Sequence, residues 1–122
     1  MKDSLAVGLE HEQTITVDDT MTPPHVPTVL STPKMVQLIE MTCFTGSMPH
    51  LDPGETMVGT HICVSHEGPA YVGEEVTVKS RVKEINKRRI TYEVEVHAPS
   101  GLVSKGTHQR AVVTPKRMAK DV

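Results

Sequence analysis

The stretch STPKMVQLIEMTCFTGS, residues 31 to 47, decides the fold. Ser31-Thr32-Pro33 reads as a helix start. Thr32 can cap the first free N–H groups, and Pro33 fits the first helical position, where a missing N–H costs nothing. Gly46 is the expected stop. At about 100° per residue, Met35, Val36, Leu38, Ile39 and Cys43 cover well over half the circumference. That predicts a helix buried on most sides rather than one lying on a surface. A single acid, Glu40, sits within it. It belongs either at the polar edge with Lys34 and Gln37, or in the interior with a partner.

Something must surround so apolar a helix, and the rest of the chain is strand-like. Glu75 to Ile85 alternates, with Val76, Val78 and Val82 on one face and Thr77, Lys79, Arg81 and Lys83 on the other. Arg89 to Ala98 puts Ile90, Tyr92, Val94 and Val96 on one face. Asn86-Lys87 reads as a tight turn and Pro99-Ser100-Gly101 as another, before a last strand from Leu102 to Val113. Gly8 to Val17 ends in a first strand, and Thr56 to His66 reads as one run. Alternation this clean implies one buried sheet face and one wet face. The expected architecture is α+β: one domain over residues 1–122, an antiparallel sheet curled around one helix. A domain of this size gains further burial by pairing with a copy of itself.

Composition narrows the function. The chain has 122 residues, a formal net charge of -2 and no Trp, and no basic block offers a nucleic-acid surface. No apolar run is long enough to span a bilayer, so the expectation is a soluble, cytoplasmic protein without membrane contact. The two cysteines, Cys43 and Cys63, sit in apolar company and read as small buried hydrophobes in a reducing compartment. Between Thr22 and Ser31 three prolines, Pro23, Pro24 and Pro27, exclude helix and central strand. Long structured connections of this kind are often lids or site walls.

The run GTHICVSHEGP, residues 59 to 69, carries two histidines five positions apart. Side chains alternate along a strand, and five residues span roughly 16 Å, so His61 and His66 cannot share a metal ion unless the strand breaks. The other histidines show no ligand spacing, and no metal is expected.

Three blocks, MVQLIEMTC, GTHICVSH and GTHQRAVV, with LDPGE before the second, stand in order between about Thr32 and Val113. They resemble the corresponding blocks of the fluoroacetyl-CoA thioesterase-like family of hotdog-fold proteins. The resemblance implies hydrolysis of a small acyl-CoA thioester to a carboxylic acid and free CoA, with CoA part of the substrate and no separate cofactor. It implies catalysis by Thr32, Glu40 and His66, and matches the family's glycine to Gly59, which either lets an acyl group or another backbone approach closely or is simply a strand bulge. The family's lid phenylalanines have no counterpart in TPPHVPTVL, which argues against assuming fluoroacetyl-CoA as the substrate. Val26 in that segment is the expected acyl contact, and a homodimer or dimer of dimers is the expected assembly.

Each of these residues has a plainer reading. His66, at a strand end before Gly68-Pro69, suits a base poised near neutral pH, or is an ordinary rim histidine. Glu40 would orient His66 and stabilise its imidazolium, or is a solvated helix residue. Thr32 would be a nucleophile or the hydroxyl that positions water, or is a helix cap. Free N–H groups at the helix start would suit a developing oxyanion, with Pro33's neighbours as donors. Arg110, on one face with His108, would meet a CoA phosphate or salt-bridge across the sheet. Two rival functions remain: a non-catalytic acyl-CoA binder, and a hydratase or dehydratase using His50 and Asp52.

Overall fold

A computed structural model describes residues 1–116. The elements are β1 (Glu10–Thr16), α1 (Thr32–Ser47), β2 (Thr56–Val64), β3 (Glu75–Asn86), β4 (Arg89–Ala98) and β5 (Gly101–Val113), with single 3-10 turns at Asp19–Met21 and Met48–His50. The five strands form one antiparallel sheet in the order β1-β3-β4-β5-β2. The sheet packs around α1. Met35, Leu38, Ile39 and Cys43 of the helix are buried in one core with Val76, Val78 and Val82 of β3, Tyr92, Val94 and Val96 of β4, and Val103 and Val112 of β5. Each such side chain removed from water contributes about 1.5–3 kcal/mol, and together they fix the helix against the sheet.

Local details depart from the expectations in informative ways. The cap of α1 is Ser31, whose Oγ accepts from the Lys34 N–H; Thr32 is the first helical residue and Pro33 the second. The helix does not stop at Gly46 but runs through it to Ser47. A Cβ at Gly46 would lie 2.5 Å from His11 Cβ, so glycine lets α1 approach β1. In the β3–β4 hairpin the left-handed residue is Lys87, at φ 58, and Asn86 instead pairs with Arg89. Strand β2 ends at Val64, before His66, and a bulge separates Gly59 from His61. Cys43 is buried as expected, and burial pushes its thiol up to about 12, which makes it inert; Cys63 is exposed, contrary to expectation.

The two sheet edges differ. On β1 the outward side chains include Glu10 and Glu12, charges of the kind that discourage edge pairing. Strand β2 offers no such protection: residues 59–63 are exposed in succession on both faces, Ile62 among them. No helix of the described residues is long and apolar enough to cross a membrane.

Candidate active site

Two loops bring the helix start to the end of β2. Residues 65–68 leave β2 but stay pinned along β5, because Ser65 N donates to Lys105 O and Glu67 N to Val103 O. A Cβ at Gly68 would meet the Leu102 carbonyl at 2.7 Å, so that close path needs glycine. The chain then runs beside the segment before α1: Val29 and Tyr71 form a β-bridge, Leu30 N donates to Ala70 O and Val72 N to Thr28 O. His66 is thereby carried to the N-terminus of α1, where its Nδ1 lies 2.7 Å from Thr32 Oγ1. Because Ser31 does the capping, the Thr32 hydroxyl is free for this contact. With the ring proton on Nε2, Nδ1 accepts the Thr32 O–H, and Nε2–H remains to donate elsewhere.

The first turn of α1 has fewer spare donors than expected. Pro33 has none, the Lys34 N–H is spent on Ser31 Oγ, and the Met35 N–H bonds the Ser31 carbonyl. The Thr32 N–H, for which no acceptor occurs among the described residues, and the helix dipole are what the N-terminus offers this pair.

Glu40 lies eight residues after Thr32, about 12 Å along the helix axis. Among the described residues no hydrogen bond joins it to His66. Instead it borders a second polar group on the helix-facing side of β2 and β5. A Cβ at Gly59 would lie 3.8 Å from Glu40 Oε1, 3.6 Å from an Arg110 terminal nitrogen and 3.4 Å from His108 Cε1. His108 is fully buried; its Nδ1–H donates to the His61 carbonyl at 2.7 Å, and its Nε2 accepts from Arg110 at 3.1 Å. Burial is the main reason its pKa falls below the ordinary histidine value, aided by the Arg110 charge, so the ring stays neutral at pH 7. Arg110 is only 7% exposed, donates to the Met57 carbonyl at 3.3 Å and stands over the Phe44 ring at 5.5 Å. A side chain so placed is not presented at the surface, where a CoA phosphate would lie. Nor does it salt-bridge: among the described residues no carboxylate comes within 4.0 Å of it.

The remaining candidates fall elsewhere. Val26 is 41% exposed in the segment before α1. His50 Nδ1 bonds Ser4 Oγ and Asp52 bonds the Met1 ammonium, each at 2.8 Å, so these two do not form an acid–base pair. No group of three or more potential metal ligands occurs among the described residues. His108 alternates with Arg110 and Val112 on β5, which marks it as inward-facing.

One helix wrapped by an antiparallel sheet, with its start joined to the end of an edge strand, defines a hotdog-fold protein. A hot-dog-like protein from Thermanaerovibrio acidaminovorans shares the fold, with a TM-score of 0.89 at 22% identity over 94% of this chain and 88% of that one. The chain belongs to the fluoroacetyl-CoA-specific thioesterase family, whose profile matches residues 10–116. It is 33% identical to the fluoroacetyl-CoA thioesterase of Streptantibioticus cattleyicolor, over 93% of this chain and 88% of that protein. The structure of the fluoroacetyl-CoA thioesterase FlK superposes with a TM-score of 0.90 at 30% identity, covering 98% of this chain and 96% of FlK.

Proposed function

We propose that the protein is an acyl-CoA thioesterase, hydrolysing a small acyl-CoA to the acid and free CoA. The observation that carries this reading is the 2.7 Å contact between Thr32 Oγ1 and His66 Nδ1, with Ser31 relieving Thr32 of the capping role. As Thr32 Oγ1 attacks the thioester carbonyl, its proton passes to His66 Nδ1. The C–S bond then breaks, and the imidazolium returns that proton to the departing CoA thiolate. Water, activated by the same imidazole, cleaves the acyl-threonine and releases the acid. The positive end of α1 favours the negative charge that develops on the carbonyl oxygen.

Within one chain Glu40 is too far along α1 to hold His66 while His66 holds Thr32. We therefore assign its partner role across a homodimer interface. The unprotected edge of β2, exposed Ile62 and Met41, and the exposed Thr32–His66 pair favour a partner seated on this side of the molecule. Antiparallel pairing of β2 with the β2 of a second copy would satisfy the edge. It would bring the Glu40 carboxylate of one protomer to the Nε2–H of the other's His66. A binder without chemistry has no use for such a pair.

The test is release of free thiol from a panel of short-chain, branched, aryl and halogenated acyl-CoAs. The proposal expects stoichiometric CoA release with turnover on at least one short acyl-CoA. Binding of CoA esters without thiol release would leave only a binding protein.

A further inference from the structure

His61 stays outside the chemistry proposed above, yet it stands beside a second metal-ligating side chain. In the register of β2 with β5, His61 pairs with Gln109 and Cys63 with Thr107, whereas Gly59 and Ile62 pair with the buried Arg110 and His108. Arg110 and His108 face the helix, so His61 and Cys63 share the outer face of the sheet. Both are exposed, and among the described residues neither side chain has a hydrogen-bond partner. One imidazole and one thiol are too few ligands to hold an ion firmly, and no larger group forms within the described residues. A second copy seated on the β2 edge doubles them.

The position of that copy follows from the role proposed for Glu40. Its Oε1 would lie 3.8 Å from a Cβ at Gly59, so an acid serving the partner's His66 requires the partner's residue 66 opposite Gly59. On β5, Gly59 is level with Arg110. His66 is level with Ser104, between the rungs from Ser65 N to Lys105 O and from Glu67 N to Val103 O. Midway between Arg110 and Ser104 lies Thr107, the register partner of Cys63. The two-fold axis of the β2 pair therefore passes between the two copies of Cys63. Because Ser65 N donates to β5, the backbone groups of Cys63 point to β5 as well, by alternation. The two copies of Cys63 thus form a non-hydrogen-bonded pair, with Cα atoms about 4.5 Å apart and the thiols side by side.

We infer that this junction is a metal site shared between protomers, of the chemistry that takes zinc. Both Cys63 thiolates bind one ion, and His61 of one protomer supplies a nitrogen. The fourth position goes to the partner's His61 or to water. Thiolate and imidazole in a tetrahedral set select zinc over the hard cations. His61 lies roughly 7 Å along the strand from Cys63, and its long imidazole arm covers that span toward an ion above the thiols. Each thiol gives up its proton to solvent on binding. The site rests on the thioesterase reading through the Glu40 pairing alone. On the outer face of the sheet, the ion takes no part in hydrolysis.

The experiment titrates cobalt(II), a spectroscopic stand-in for zinc, into the reduced wild-type protein, His61→Ala and Cys63→Ser. Sedimentation and thiol release from acyl-CoA are recorded on the same samples. Wild type is expected to give thiolate-to-cobalt charge transfer that saturates at one ion per dimer and is bleached by zinc. Cys63→Ser should lose the band entirely, and His61→Ala should bind at least about tenfold more weakly. Both side chains are exposed and face away from the Thr32–His66 pair, so both variants should fold and turn over thioester as wild type does. Four results would each overturn the shared site: a wild-type dimer without the band, saturation at one ion per chain, a band kept by Cys63→Ser, or undiminished affinity in His61→Ala. Active wild type that sediments as a monomer would overturn it together with the cross-protomer role of Glu40, leaving the thioesterase intact. The band without thiol release from any acyl-CoA would uphold the site and overturn the thioesterase.

Discussion

His66→Ala is expected to lower kcat/KM on the best acyl-CoA by about a thousandfold, and Thr32→Ala by a comparable factor. The two changes act on one proton. Without His66 the Thr32 hydroxyl keeps a proton that no nearby base accepts; without Thr32 the imidazole has no nucleophile to activate. Because the groups work as a unit, the double variant should be little worse than either single one. Neither change should unfold the protein, since both side chains are exposed and Ser31 continues to cap α1. Thr32→Ser, which keeps the hydroxyl, should retain far more activity than Thr32→Ala. Parallel kinetics and melting curves of the four variants check this. Activity of His66→Ala within a few-fold of wild type would return His66 to the status of a rim residue.

The largest effect on stability is expected at Gly106, in the middle of β5. It takes φ +155, a conformation L residues rarely adopt. A Cβ there would stand 2.1 Å from the Cys63 carbonyl oxygen and 2.8 Å from Val64 Cα, both backbone atoms of β2. No rotamer change relieves such a clash, so β2 must move off β5. Gly106→Ala should therefore cost about 3 kcal/mol, lowering Tm on the order of 10 °C. It should also lower thioester turnover, because β2 carries Gly59 and leads directly to His66. Thermal melting and thiol release on the same sample check both consequences. A melting point within a degree or two of wild type would show that β2 is held by something other than its pairing with β5.

Much of this was legible in the residues. The apolar circumference of α1 and the alternation of β3, β4 and β5 carry the architecture, because a period of 3.6 or 2 survives wherever one face is buried. What stayed illegible depends on neighbours distant in sequence. Ser31 and Thr32 both suit a cap, and only the arrival of His66 shows why the serine takes it. Gly46 looks like a helix stop until His11 is seen packed against it. Arg110 reads as a surface cation because arginine is seldom buried, and only the register pairing it with Gly59 places it beneath the edge strand. Cys63 has apolar neighbours, but edge position rather than neighbourhood sets its exposure. The Thr32–His66 contact follows from two loops bridged at Val29 and Tyr71, a pairing that no local pattern announces.

On the proposed mechanism, one protomer's Thr32–His66 pair works with the other's Glu40. Mixing two inactive variants, Thr32→Ala and Glu40→Gln, by co-refolding tests it most directly. A mixed dimer has one site lacking both groups and one site with both intact, so random pairing should restore about a quarter of wild-type activity. A mixture no more active than its parents, in a sample shown to contain mixed dimers, would contradict the claim and place the whole site within a single chain.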